Sequence, residues 1–323
     1  MPIKKEFVPA AEFLKNFNGK ILLASHENPD GDTVGSTLAL YLFLKKLGKD
    51  VSVACKDPIP YYLDFLPAAA DFKRLPLEEE FDLCVIVDAA SHTRLGAPVR
   101  ARRFMRVDHH KGGDFYSEAD IVDAEAPATA SVVYYLLKNI DESLIDKQIA
   151  ECIYTGLSTD TGFFINSNTD ASTLKLATEL VEKFGIKPHE IASNIKERNR
   201  PGRLKLLSKA LETITLHGGG KIATMYVLKK WLEETETGYE DTEGFVNYAR
   251  SIDGVEVAAL ITERPEEGIW KVSLRSKGHA DVSVVCEKFG GGGHKYAAGC
   301  KFPINLPLEE VIKRLTEEVS KNL

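Results

Sequence analysis

Three short apolar runs in the first third of the chain each end on an acid or an imidazole. Residues 20–25 lead into His26, Leu83–Val87 into Asp88, and residues 104–107 into Asp108-His109-His110. Ionisable groups at the end of a buried strand cost desolvation free energy. Repeated three times, the pattern calls for a fold that gathers strand ends and for chemistry that uses them. Helical patterns separate the runs, at 36–47 (closed by Gly48), 129–139 and 146–157, and Val51–Cys55 reads as a further strand. Such alternation predicts an α/β domain with a parallel sheet and helices on both faces. In these sheets functional groups collect just beyond the carboxyl ends of the strands.

The 323 residues exceed what one hydrophobic core usually holds, so two domains are expected. Residues 170–184 read as another amphipathic helix, with Asp170 as N-cap and Gly185 as stop. A polar, basic stretch, 187–203, contains Asn199-Arg200-Pro201-Gly202, punctuation that predicts a linker. The expected division is 1–187 for the catalytic α/β domain, 188–208 for the linker and 209–323 for a smaller, substrate-binding α+β domain. There, residues 212–216 and Ile222–Val227 flank His217-Gly218-Gly219-Gly220-Lys221 as a hairpin. Residues 243–251 and 282–289 look helical, and 255–262 and 270–275 look like paired strands around a turn at 265–268.

Composition narrows the classes. No apolar run approaches the roughly 18 residues of a membrane span, and Met1-Pro2-Ile3-Lys4-Lys5-Glu6 lacks a secretion signal's apolar core. Five cysteines without CxxC spacing read as reduced thiols in a cytoplasmic protein. A formal net charge of −7 argues against a surface that coats long nucleic acid, which needs a basic stripe. A small phosphorylated substrate stays compatible, because bound metals can supply the positive field.

His26, Asp30, Asp32, Asp88, His109 and Asp160 are the candidate metal ligands. Mn²⁺ and Mg²⁺ prefer carboxylate oxygen, and Mn²⁺ also accepts imidazole. Four carboxylates in one pocket would raise one another's pKa values, and two divalent cations would cancel their charge. Each cluster also has a plain structural reading. Asn28-Pro29-Asp30-Gly31 suits a turn, Asp88 or Asp160 could cap a helix, and Asp108-His109-His110 could be a polar strand end. Their coincidence at element ends of one α/β domain favours the metal reading. The glycine run at 290–293 reads either as a helix C-cap and turn or as backbone that approaches a phosphate or ribose. Arg275 could be a surface ion-pair partner.

HENPDGDTVGS, VDAAS, the literal DHH triplet and TGLSTDTGFF resemble the four motifs of the DHH phosphoesterase superfamily. SLRSKG followed by FGGGGHKYAAG resembles the DHH-associated C-terminal domain. The resemblance spans nearly the whole chain and is closest to the stand-alone group of bifunctional oligoribonucleases and pAp phosphatases. It implies one metal held by His26, Asp30 and Asp88 and a second held by Asp32, Asp88, His109 and Asp160, with Asp88 bridging. Asp108 would orient a histidine, and His110 would stabilise the scissile phosphate. Arg275 and Ser276 would contact the substrate's far phosphate or sugar, and Gly292, Gly293 and His294 would line the nucleotide pocket. The C-terminal domain would close over the cleft. Related proteins often carry an arginine shortly after the aromatic residue of the fourth motif, where this chain has Ile165-Asn166 after Phe163-Phe164.

The implied cofactors are two divalent ions, Mn²⁺ ahead of Mg²⁺. The implied reaction is hydrolysis of short oligoribonucleotides, linear dinucleotides such as pApA or pGpG, or pAp, by a metal-activated water. No membrane or long nucleic acid is expected as a partner, and a homodimer fits similar proteins. The alternatives are a RecJ-like single-strand exonuclease, a cyclic di-AMP phosphodiesterase, an inorganic pyro- or polyphosphatase, and a non-catalytic nucleotide sensor. The charge balance predicts that exhaustive chelation lowers the melting temperature as well as abolishing activity. An unchanged melt would count against a preorganised charged cluster.

Overall fold

A computed structural model describes residues 7–323 of the chain. The apolar runs become strands: β1 (Ile21–Ser25), β2 (Val51–Cys55), β3 (Lys73–Arg74), β4 (Leu83–Val87), β5 (Phe104–Asp108) and β6 (Ile121–Val122). All pair in parallel, in the order β3-β2-β1-β4-β5-β6. Every residue of β1 and β4 is buried, as strands covered on both faces require. The chain steps outward from β1 to β3, returns, and continues from β4 to β6 on the other side. The carboxyl ends of β1 and β4 therefore flank the point where strand order reverses, which is where α/β sheets bind ligands.

Right-handed connections change face when the chain changes direction, and the two apolar clusters follow that rule. One face joins Leu23, Val53, Val85 and Val107 to side chains of α1 (Val8–Asn16), α2 (Gly31–Lys46), α3 (Thr129–Asp141), α4 (Lys147–Asp160), α5 (Ala171–Phe184) and α6 (Pro188–Lys196). The other face joins Leu22, Ala54, Cys84 and Ile86 to Leu75, Phe81 and Leu95. Here the expectation of helices on both faces needs correction. Among the described residues this second face is covered by irregular connections and one 3-10 turn, His92–Leu95. These connections are interrupted by Pro76, Gly96 and Pro98.

Two boundaries bear on the site. α2 begins at Gly31, not 36, with Asp30 as N-cap accepting from the Thr33 amide at 3.0 Å. Nearly all of α2 is buried, so its first turn carries no amphipathic signal. α4 runs past 157 to Asp160, which makes Asp160 its last residue and not an N-cap. α2 and α4 cross closely because glycines face each other's helix. A Cβ at Gly35 would lie 2.4 Å from the Cys152 carbonyl, and one at Gly156 would lie 2.7 Å from Asp32 Oδ1.

A second compact unit spans Asn199–Leu323, after a first that ends at Arg198. It contains α7 (Pro201–Glu212), β7 (Thr215–His217), β8 (Ile222–Val227), α8 (Lys229–Glu234), α9 (Phe245–Arg250), β9 (Val257–Arg264), β10 (Ile269–Ser276), α10 (Val282–Glu287), β11 (Gly292–His294), β12 (Ala297–Pro303) and α11 (Leu308–Ser320). The sheet order is β11-β12-β10-β9-β8-β7, antiparallel except for β8–β9. α10 and α11 pack on one face and α7, α8 and α9 on the other. Residues 188–208, read as a linker, are largely helical. α6 and α7 each begin with a proline, which suits the first helical turn because its amide needs no intrahelical partner. α7 runs to Glu212, so β7 starts later than expected, and β12 and α11 have no counterpart in the sequence reading. Among the described residues no helix is long and apolar enough to cross a membrane.

Gly35→Ala tests the helix contact. Intrinsic helix propensity favours alanine by about 1 kcal/mol, whereas overpacking against backbone costs roughly 1–3 kcal/mol. The expected result is net destabilisation in denaturant unfolding; a stabilised variant would show that the crossing can relax.

Candidate metal centre

His26 follows β1, Asp88 follows β4, and Asp108 ends β5, so one edge of the sheet delivers all three. Asp30 and Asp32 come from the start of α2, and Asp160 from the end of α4. The donor atoms of His26, Asp30 and Asp88 lie within 4.8 Å of one another. So do those of Asp32, His109 and Asp160, and those of Asp88, His109 and His110. All six sequence candidates therefore come together, with Asp88 belonging to two of the groups. Its oxygens point to different sides. Oδ2 is 3.7 Å from His26 Nε2, while Oδ1 is 3.8 Å from His109 Nε2 and 3.7 Å from His110 Nδ1.

The histidine tautomers are set by their outer partners. His26 Nδ1 lies 2.7 Å from the Glu27 carbonyl and His109 Nδ1 lies 3.1 Å from the Ala126 carbonyl. A carbonyl only accepts, so both Nδ1 atoms carry the proton and both Nε2 atoms face the carboxylates. His109 Nε2 sits 3.9 Å from Asp32, 3.8 Å from Asp88 and 3.9 Å from Asp160. Carboxylates with imidazole form the donor set that suits a divalent ion such as Mn²⁺, so these groups could hold metal.

The electrostatics are those of a site made for positive charge. Burial, with Asp88 and Asp160 nearby, pushes the Asp32 carboxyl well above its usual range. Burial likewise pushes Asp160 up to about 6. Burial opposes a charged His109, but Asp160, Asp32 and Asp88 outweigh it and push the imidazole up to about 9. Burial would also raise Asp88, yet the imidazoles of His26, His110 and His109 hold it well below the carboxylate range.

Several supporting residues were not singled out by the sequence reading, although Thr33 and Ser36 lie within the HENPDGDTVGS motif. Thr33 Oγ1 lies 2.6 Å from both Asp88 Oδ2 and His26 Nε2. Thr129 donates its hydroxyl to Asp88 Oδ1 at 2.7 Å and its amide to Asp32 Oδ2 at 2.7 Å. The Ala130 amide and Ser36 hydroxyl each donate to Asp32 Oδ1 at 2.9 Å. Asn168 donates to Asp160 Oδ2 at 3.3 Å. Arg106 did leave a trace: a charged residue in the apolar strand β5, two before Asp108 and hence on its face.

Arg106 is buried and uses all five of its N–H donors. Nε and Nη2 donate to Asp108 Oδ2 at 2.9 and 2.5 Å, Nη2 to the His110 carbonyl, and Nη1 to the Gly112 and Asp114 carbonyls. Asp108 Oδ1 in turn accepts from the amides of His109 and His110, and His110 Nδ1 lies 2.7 Å from it. Asp108 is thereby saturated, with no oxygen aimed at the six ligand candidates. It ties the His110 ring to the Arg106 anchor.

The remaining candidates lie in the second unit. Arg275 is half-buried on β10, and its Nη1 donates to the Leu274 carbonyl at 3.0 Å. Ser276 is buried and accepts from the Gly278 amide. The first half of the glycine run closes α10, with Gly290 at φ +71° and the Gly290 and Gly291 amides donating to the Glu287 and Cys286 carbonyls, whereas Gly292–His294 pairs with β12. Gly293 has φ +144°, and a Cβ there would meet the Ala297 carbonyl at 2.6 Å, so close packing explains this glycine. A Cβ at Gly292 would meet nothing within 4 Å. The His294 side chain lies outside the described residues.

A doubly wound sheet with this acid–imidazole cluster at its switch point defines a class of enzyme able to hold divalent cations there. Residues 20–157 match the DHH family N-terminal domain and residues 217–321 match the DHHA1 domain. Over 316 residues, covering 97% of this chain and 93% of the relative, the sequence is 34% identical to the bifunctional oligoribonuclease and PAP phosphatase NrnA of Thermus thermophilus. It is 27% identical to the Bacillus subtilis protein of the same name, over 86% of this chain and 88% of that one. A solved exopolyphosphatase-related protein from Bacteroides fragilis superposes with a TM-score of 0.86 at 28% identity, covering 99% of this chain and 97% of that one. The chain belongs to the DHH family of phosphoesterases, with a DHHA1 domain in its second half.

Arg106→Met would leave the Asp108 charge buried without its main partner. Breaking a buried pair in this way costs about 3–5 kcal/mol. Denaturant unfolding should show a loss of that size, together with a fall in turnover. A loss near the level of an exposed ion pair, below about 1 kcal/mol, would show that Arg106 is not the anchor of the His110 segment.

Proposed function

We propose that this phosphoesterase hydrolyses short oligoribonucleotides to 5′-mononucleotides, with linear dinucleotides such as pApA and pGpG and the mononucleotide pAp as its smallest substrates. The observation that carries the reading is Asp88, whose two oxygens serve two ligand groups. His26, Asp30 and Asp88 would hold one divalent ion. Asp32, Asp88, His109 and Asp160 would hold the other. Mn²⁺ is the ion that the mixed carboxylate–imidazole set favours. It is also named for a similar protein, a probable manganese-dependent inorganic pyrophosphatase from Streptococcus mutans, 28% identical over 52% of this chain. When bound, such ions neutralise phosphoryl oxygens and acidify a water near neutral pH.

The chain's own groups do the rest. His110 has its Nδ1 committed to Asp108, which leaves Nε2 to meet a phosphoryl oxygen and offset charge gained during in-line attack. Arg106 holds that ring's loop through three carbonyls, so the imidazole is positioned before substrate arrives. No side-chain nucleophile is required. The domain assignment follows: the first unit carries hydrolysis, and the DHHA1 half binds the rest of the substrate through Arg275, Ser276, Gly292, Gly293 and His294. The names of the Thermus and Bacillus relatives support oligoribonucleotides and pAp as substrates. Five free, buried cysteines suit a cytoplasmic setting.

Turnover with Mn²⁺ of pAp, pApA, pGpG, cyclic di-AMP, a short RNA and pyrophosphate tests the reading. Linear dinucleotides, short RNA or pAp should be cleaved well ahead of pyrophosphate and cyclic di-AMP. Asp88→Asn should abolish turnover in every case. Preferred cleavage of pyrophosphate, or an active Asp88→Asn protein, would overturn the assignment.

A further inference from the structure

Thr33 is buried in the first turn of α2, and its hydroxyl faces more acceptors than it can serve. Oγ1 lies 2.6 Å from Asp88 Oδ2, 2.6 Å from His26 Nε2 and 3.1 Å from Asp30 Oδ1. The Glu27 carbonyl keeps the His26 proton on Nδ1, so Nε2 presents a lone pair, as both carboxylates do. A hydroxyl has a single proton to donate. Two of the three close contacts therefore set lone pair against lone pair. A second proton on the His26 ring would relieve one of them and still leave the Asp30 contact without a donor.

Nearby hydroxyls behave differently. Thr37, one turn further along α2, donates to the Thr33 carbonyl at 2.7 Å, the ordinary back-bond of a threonine inside a helix. Thr129 gives its proton to Asp88 Oδ1 at 2.7 Å, one donor for one acceptor. The Thr33 hydroxyl instead joins His26, Asp30 and Asp88, whose own donor atoms lie within 4.8 Å of one another. A small divalent ion that holds oxygen at about 2.1 Å, as Mg²⁺ does, keeps adjacent donors roughly 3 Å apart. The separations from Oγ1 are close to that spacing. A cation shared by all four atoms turns their mutual repulsion into attraction.

We propose that the Thr33 hydroxyl is a fourth protein contact to the divalent ion held by His26, Asp30 and Asp88. The inference rests on the two-ion reading of the site. It gives the two halves of the centre different characters. The half that contains His26 gains a hard, uncharged oxygen, which leaves the ion's positive charge undiminished and favours Mg²⁺ or Mn²⁺ over ions that prefer sulfur.

The test compares the full-length protein with Thr33→Val, Thr33→Ser and Thr33→Cys. Mn²⁺ binding is followed by titration calorimetry and by the electron paramagnetic resonance of free Mn²⁺, and melting is recorded in chelator. In Thr33→Val one of the two Mn²⁺ affinities should fall about tenfold while the other holds, and Thr33→Ser should keep both. Thr33→Cys should bind Mn²⁺ more weakly and Cd²⁺ more tightly, with a thiolate-to-cadmium absorption band in the ultraviolet that the wild-type protein lacks. Unchanged Mn²⁺ binding in Thr33→Val, a loss in Thr33→Ser as large as in Thr33→Val, or no cadmium band in Thr33→Cys overturns the contact. Both affinities falling together with the melting temperature assigns the hydroxyl to the fold and also overturns it. A wild-type protein that binds Mn²⁺ but cleaves neither oligoribonucleotides nor pAp defeats the hydrolase reading, while the variants still decide the role of Thr33. A wild-type protein that binds no Mn²⁺ defeats both.

Discussion

Asp88 stands at the carboxyl end of β4 with φ +58°, a left-handed conformation that side chains other than glycine seldom adopt. Asparagine and aspartate tolerate it best, at a cost of order 1 kcal/mol. The backbone turn places the carboxylate across the switch point of the sheet, with one oxygen toward the β1 side and the other toward β5. Strain of this kind persists only where the surroundings enforce it. Here they do so through Thr33 and Thr129, each donating a hydroxyl to a different oxygen of the same carboxylate.

Charge around that carboxylate is handled by helices as much as by side chains. α3 begins at Thr129 after Ala128, a residue that cannot cap it. Asp32 takes that role from α2, accepting the Thr129 and Ala130 amides. A single interaction thus satisfies orphan donors of one helix and stabilises a buried carboxylate by the positive end of its dipole. It also locks α2 to α3, while glycine contacts bring α4 and Asp160 alongside. The separation of the ligand groups is therefore a consequence of helix packing, and changes far from the carboxylates act on it through the backbone.

Much of this was legible in the residues. The apolar runs ending in His26, Asp88 and Asp108 gave strand ends, and parallel alternation gave one edge on which to gather them. Asp170 and Gly185 marked the ends of a helix by their own conformational preferences, and the structure has them as N-cap and left-handed C-cap. The start of α2 was not legible, because burial on nearly every side erases amphipathic periodicity. Pro201 was ambiguous for a different reason: proline marks a break and also a helix start, and only packing of Leu206, Leu207 and Ala210 decides for the helix.

The sequence by itself determined which groups were available for chemistry and that they belonged to strand and helix ends, because residue type and local pattern encode both. It could not determine which oxygen meets which histidine. That depends on strand order, on the handedness of connections and on how closely glycines let α2 and α4 approach. Local pattern alone does not separate Asp108 from Asp88, although the resemblance implied that Asp108 orients a histidine while Asp88 bridges. Only the tertiary structure shows Asp108 consumed by Arg106 and His110 while Asp88 faces two ligand groups. The two residues look alike as acids after buried strands, and their difference arises from partners brought in by the fold.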